Sequence, residues 1–202
     1  VKDEEQAARI YLTDEEIDAL YKMQLEEGSL RCYVRDIFLC GAYTGQRISD
    51  YNNLTADNFR KSESKGYDVV SLTQKKTANK VVVPVLNSNL LSIVEKYKYN
   101  PPRVHDVILN REIKSILKEL SKTVPSLAVK IPTVLTLKEK DAEQKGTVTF
   151  ERDSNCQVVK ARYDLVSSHT ARRSCVTNLY LSNKYSVAEI MSISGHKTEK
   201  AF

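Results

Sequence analysis

The chain has 202 residues, of which 41% are hydrophobic and 28% charged, with 31 Lys and Arg against 26 Asp and Glu and a net charge of +5. One domain with a substantial core is expected at this length, and no apolar stretch approaches the roughly 18 residues of a membrane helix. Cys32, Cys40, Cys156 and Cys175 form no C-x-x-C pair and no zinc spacing with the histidines, which argues against structural zinc or a disulfide scaffold and reads as reduced, cytosolic thiols.

The sequence opens on Val1 without a basic-then-apolar leader, which reads as a piece of something longer and not a secreted precursor. Its first 30 residues carry three Lys/Arg against nine Asp/Glu, a balance of −6, and leave the remainder at +11. A body that basic suits a polyanion, because Lys and Arg contacts to phosphates release counterions; as a solvated surface it needs no partner at all.

Thr13 and Glu16 form a capping-box pattern that starts a helix over 14–27, with Ile17, Leu20, Tyr21 and Leu25 as its apolar stripe and Gly28 as its stop. A second, more apolar and so central helix begins at Ser29 or Leu30, runs through Val34, Ile37, Phe38 and Tyr43, and ends in Thr44-Gly45. Residues 46–51 read as a short helix after a sharp turn, with Ile48 and Tyr51 facing inward. β-branched runs at 67–73 and 81–85 predict a hairpin with a lysine-rich tip, Pro84 placing the second strand at an edge or near its end. Helices are expected at 88–97 and 111–123, the first closed by Asn100-Pro101-Pro102. Thr/Val-rich stretches at 133–137, 147–151 and 158–163 suggest a small second sheet, an excursion from the helical body. Helical spacing returns at 170–181, where Ala171, Cys175 and Leu179 share a face, and at 187–193, ending in Ser194-Gly195-His196.

Several positions in this plan could carry chemistry. Basic residues are disfavoured at a helix start, yet His169, Arg172 and Arg173 open one, and unpaired helix N–H groups there would favour an anion. Arg47 follows Thr44-Gly45 with Asp50 one turn on; the pair is either a surface ion pair or an arginine held with its fork toward a phosphate. Lys75, Lys76 and Lys80 either protect a hairpin edge or reach a DNA groove or a leaving group. His196, after Gly195, is by default a helix-terminal histidine, and His105 is structural.

In order, Thr44-Gly45-Gln46-Arg47-Ile48-Ser49-Asp50, a hairpin with Gln74-Lys75-Lys76-Thr77, His169-Thr170-Ala171-Arg172 and Gly195-His196 resemble the catalytic domain of the tyrosine recombinases, the phage-integrase family. The likeness spans Thr13 to Phe202, and the wording of the last two motifs looks most like integrases of Bacteroides-type mobile elements. It implies a mainly helical α+β catalytic core with a hairpin or small sheet, residues 1–12 as linker, and a separate N-terminal DNA-clamping domain in a complete member. The implied chemistry is phosphoryl transfer without metal or cofactor. Arg47 and Arg172 would grip the scissile phosphate, His169 would complete the clamp, and His196 would donate a hydrogen bond to it. Lys76 would protonate the departing 5′ oxygen, with Lys75 as the competing assignment, and Asp50 would support the site from behind. Lys75, Lys80 and Arg173 are expected DNA contacts.

The implied nucleophile is a tyrosine that would leave a 3′-phosphotyrosyl link. Tyr180 and Tyr185 precede His196 and do not match; the matching position falls just past Phe202, so this chain is expected not to cleave on its own. Ala171 stands where leucine is common, and 124–163 is longer than in compact members. Implied partners are double-stranded DNA, three further copies in a tetramer and accessory DNA-bending proteins, in the bacterial cytoplasm at the nucleoid. A type IB topoisomerase-like nicking-closing enzyme, or a DNA-binding relative without catalysis, are the rival expectations.

Overall fold

In the computed structural model, which describes residues 8–61 and 68–199, the chain is mainly helical with two small antiparallel sheets. Helix α1 (Asp14–Lys22) starts as expected: Thr13 Oγ1 accepts from the Glu16 N–H, and the Glu16 carboxylate accepts from the Thr13 N–H. It ends at Met23, five residues before Gly28. The reason lies outside the helix, because Arg35 donates to the Met23 carbonyl and holds that residue in extended conformation.

Helix α2 (Leu30–Thr44) is the central element, with Val34, Ile37, Phe38, Leu39 and Cys40 wholly buried. Removing each such large side chain from water contributes about 1.5–3 kcal/mol. Its one buried acid, Asp36, accepts from Arg35, Lys96 and Tyr97. Gly45 closes the helix at φ +65°, a left-handed cap that redirects the chain into α3 (Ile48–Tyr51). Tyr51 turns inward as expected, is fully buried, and donates to the Ser168 carbonyl.

The first sheet has the order β1 (Phe59–Lys61), β2 (Asp68–Thr73), β3 (Lys80–Pro84), with Thr73 opposite Lys80 beside the turn. Pro84 is the last residue of the edge strand β3, so its missing N–H leaves no gap in the ladder. Tyr67 lies outside the described residues, and β1 was not anticipated from the sequence. Helices α4 (Ser88–Lys96) and α5 (Asp106–Leu120) follow. The second starts five residues earlier than expected because His105 caps it, its ring nitrogen accepting from the Val107 N–H.

The excursion differs most from expectation. Its sheet is two strands, β4 (Lys130–Pro132) and β5 (Val159–Ala161), and the stretch read as strand at 133–137 leads instead into α6 (Leu137–Gln144). Residues 147–151 form no strand. Helix α6 has a Thr136–Glu139 capping box and no buried residue. Helix α7 (Arg162–Leu165) returns the chain to the body, where Arg162 pairs with the buried Glu16 at the head of α1.

Helix α8 (Ser168–Leu181) packs extensively along α2, and α9 (Val187–Ser194) lies against α8 and β3. Residues 10–12 run alongside α8: Arg173 donates to the Ile10 carbonyl, Asn178 to the Leu12 carbonyl, and the Leu12 N–H to Ser174 Oγ. All four cysteines are free thiols. Cys32, Cys40 and Cys175 are buried, and burial pushes the Cys40 and Cys175 thiols up to about 12. Among the described residues no helix is long and apolar enough to cross a membrane.

The contact of α2 with α3 yields a stability prediction. A Cβ on Gly41 would stand 2.6 Å from the Tyr51 ring, which is fully buried and cannot withdraw. Gly41→Ala should therefore destabilise by about 1–3 kcal/mol, the usual cost of overpacking. Thermal denaturation followed by circular dichroism checks it, and an unchanged melting temperature would show that the ring has room.

Candidate active site

Three chain reversals place the candidate residues together. Arg47 is the residue before α3, just past the left-handed Gly45; Arg172 is the fifth residue of α8; His196 follows the left-handed Gly195 at the end of α9. Arg172 is only 8% exposed. Its guanidinium donates to the Gly45 carbonyl at 2.9 Å and the Ser194 carbonyl at 2.6 Å, and its other terminal nitrogen lies 2.8 Å from His196 Nε2. Among the described residues it has no carboxylate ion pair. Burial, and the nearby Arg47 guanidinium, bring its pKa down to about 10.

The hydrogen bonds fix the state of His196. Ser194 Oγ lies 2.8 Å from His196 Nδ1 and 2.8 Å from the Ile190 carbonyl, which only accepts. The single hydroxyl proton therefore goes to Ile190, and Nδ1–H donates to the hydroxyl oxygen. Nε2 is left to accept from Arg172. The imidazole is thus neutral, in agreement with a pKa pushed down to about 4 by burial, Arg172 and Arg47.

Behind these groups lies a pair of carboxamides that sequence reasoning passed over. Gln46 and Gln74 are completely buried. Gln74 Oε1 accepts from Arg47 at 3.2 Å and Thr77 Oγ1 at 2.8 Å; its Nε2 donates to Gln46 Oε1 at 2.7 Å and the Ser194 carbonyl at 2.9 Å. Gln46 Nε2 donates to the Thr44 and Ile193 carbonyls. The close approach explains Gly195, since a Cβ there would stand 2.5 Å from Gln74 Nε2. No spacing rule marks a buried glutamine. The available signal is adjacency, with one glutamine next to Arg47 and the other two residues before Lys76.

The other candidates surround this centre. Asp50 is 6% exposed, and its Oδ1 accepts from the Lys75 N–H at 2.9 Å, tying the hairpin turn to α3. Asp50 and Lys75 also line a cavity of about 110 Å³ with Ser49, Asn53 and Thr73. Lys76 is exposed at the hairpin turn, and Lys80 is exposed at the start of β3. His169 is exposed at the second residue of α8, three before Arg172. Arg173 is turned away, toward the Ile10 carbonyl, and serves the N-terminal segment. Tyr180 is exposed near the far end of α8, and Tyr185 lines a cavity with Asp14 and Cys175 on another part of the surface. Among the described residues no cluster of three or more His, Cys, Asp or Glu could hold a metal ion.

Two guanidiniums and a neutral imidazole share one location, and among the described residues neither guanidinium has a carboxylate ion pair, although the buried Asp50 is near enough to act on Arg172; the arrangement makes an anion site. Like charges in a low-dielectric pocket repel, and an anion with several acceptor oxygens relieves that repulsion while satisfying the remaining N–H groups.

Comparison with known proteins identifies the family and the fold. A model described as the phage integrase family matches residues 10–201. The fold is similar to that of the XerH site-specific recombinase bound to difH substrate in a pre-cleavage complex, with a TM-score of 0.56 and 14% identity over 96% of this chain and 48% of that one. It is similar to the lambda integrase catalytic core, with a TM-score of 0.53 and 17% identity over 95% of each chain. It is also similar to the Tn1549 transposon integrase with transposon right end DNA, with a TM-score of 0.55 and 12% identity over 98% of this chain and 61% of that one. The chain spans about half the length of the XerH chain. A search of curated proteins finds no match.

The imidazole carries a pH signature. Its pKa falls from 6.5 to about 4 on folding, so the unfolded chain binds this proton more readily. His196 contributes stability that is fully present above about pH 6.5 and lost as pH falls toward 4. A histidine-resolved NMR titration should show it neutral at pH 5.5, and inorganic phosphate should move its titration upward. Half-protonation near pH 6.5 without phosphate would contradict the described pocket.

Proposed function

Because the chain belongs to the phage integrase family, we propose that it is the catalytic core of a site-specific DNA recombinase that breaks and rejoins strands through a 3′-phosphotyrosyl intermediate. The observation that carries this reading is the buried Arg172 beside Arg47 and neutral His196. That site is built for one phosphate, and the basic body around it suits the rest of a duplex.

In this mechanism the scissile phosphodiester enters with its non-bridging oxygens toward Arg47 and Arg172. Both guanidiniums stabilise the extra negative charge of the pentacoordinate transition state. Arg172 leaves His196 Nε2 for the phosphate, and the imidazole takes up a proton from solvent there so that it can donate. His169, at the head of α8, closes the clamp from the other side. A tyrosine hydroxyl gives its proton to solvent as its oxygen attacks phosphorus, the new P–O bond forms as the P–O5′ bond breaks, and the 5′ oxygen leaves with a proton from Lys76. Lys75 is held by its backbone to Asp50 and lines the cavity on that side, which favours Lys76 as the donor. The reverse reaction, attack of a 5′ hydroxyl on the phosphotyrosine, reseals the strand without ATP.

Neither Tyr180 nor Tyr185 is assigned as that nucleophile, and residues 1–202 by themselves are proposed to bind without cleaving. Four protomers on two duplexes, assisted by DNA-bending proteins in the bacterial cytoplasm, complete the proposal.

The test is covalent trapping. The native protein that carries this chain, incubated in EDTA with supercoiled plasmid bearing the DNA that flanks its gene, should yield an SDS-stable protein–DNA adduct. Arg47→Ala and Arg172→Ala should each lower adduct formation by about 10²–10³-fold, the scale seen when one transition-state donor is removed. Duplex affinity should change far less. An adduct that needs Mg²⁺, or binding that collapses in step with cleavage, would sink the proposal.

A further inference from the structure

Gln74 bonds to three parts of the candidate site. It directly follows β2 and opens the turn that carries Lys75 and Lys76, and its Oε1 accepts from Arg47. Its Nε2 shares the Ser194 carbonyl with Arg172, while the hydroxyl of the same Ser194 accepts from His196. Thr77 Oγ1, one residue beyond Lys76, donates to Oε1 from within the turn.

The direction of these bonds is fixed by their ends. Gln46 must point its NH₂ at the Thr44 and Ile193 carbonyls, which cannot donate. Its Oε1 therefore faces Gln74, whose NH₂ meets that oxygen and the Ser194 carbonyl. The only orientation left for Gln74 presents Oε1 to Arg47 and Thr77. No donor of either carboxamide is left over, and none could be supplied by water at full burial. Gly195, which has no Cβ, leaves room for the side chain.

We propose that Gln74 is a positioning residue for phosphoryl transfer, one that sets Arg47, the lysine turn and the His196 turn in a single register before DNA arrives. The inference rests on the recombinase reading. Displacement of a catalytic group by about 1 Å can cost 10²-fold in rate, and Gln74 controls three such groups through single hydrogen bonds.

Two variants test it in the native protein, with the plasmid adduct assay in EDTA and a linear fragment of the same plasmid for affinity. Gln74→Met keeps the volume and deletes every hydrogen bond; single-turnover cleavage should fall about 10–100-fold while affinity stays within about threefold. Gln74→Glu puts a carboxylate against two acceptor oxygens when ionised, but when protonated it restores one donor while still accepting from Arg47. Its cleavage rate relative to the native protein should climb as pH falls, and the methionine variant should show no such climb. Packing alone would give neither the rate–affinity split nor the pH profile. Melting curves accompany the rates, and a loss of cleavage that merely follows loss of folded protein would overturn the proposal in favour of a structural role. Arg47→Ala separates the two levels: if that variant cleaves normally, the recombinase reading fails. If it is inactive while both Gln74 variants cleave like the native protein at all pH values, only the positioning role fails.

Discussion

A guanidinium held inside the protein without a carboxylate organises this structure. Desolvating an ion costs several kcal/mol unless something of opposite sign replaces water, and for Arg172 the replacements are the carbonyls of Gly45 and Ser194. Both belong to helix C-termini, where carbonyls lack intrahelical partners and the backbone dipole is negative. α2 and α9 thus end where they do for an electrostatic reason, and both end in a left-handed glycine that turns the next motif toward Arg172. Partial charges solvate the cation without cancelling it. A carboxylate would have neutralised the site and closed it to anions; two helix ends hold the arginine and leave its field available.

The packing serves the same requirement. α8 carries Arg172 on the side that meets α2, and the small Ala171 and Cys175 beside it are buried there, Cys175 against Gly45. The next residue, Arg173, faces the other way and binds the extended segment before α1. Adjacent arginines on one helix thus serve the anion site and the N-terminal segment respectively. The excursion lies apart from this arrangement, its polar helix α6 exposed and its return anchored through Arg162 and Glu16.

Periodicity made α2, α8, α9 and the β2–β3 hairpin legible, because each buries one face or both and its apolar residues record that burial. α6 was misread for the converse reason: Leu137-Lys138-Glu139-Lys140-Asp141-Ala142-Glu143-Gln144 buries nothing, so helix-forming composition and the Thr136–Glu139 box were its only marks. The start of α5 was hidden by a histidine cap, and the end of α1 by a guanidinium from another helix. The order of short motifs singled out Arg47, Arg172 and His196, which the fold brings to one place, and also Arg173, whose contact with the Ile10 carbonyl no local pattern shows. Gln46 and Gln74 could not be found by charge or spacing, since a buried amide is recognisable only when the carbonyls around it are known.

The thiols described with the fold have a practical side. Cys32, Cys40 and Cys175 are enclosed, two of them far from forming thiolate at neutral pH, whereas Cys156 is exposed in the turn at the tip of the excursion. The native sequence therefore offers one accessible sulfhydryl to a maleimide dye, away from the arginine pocket, and a fluorophore placed there would report what the excursion touches without any engineered residue.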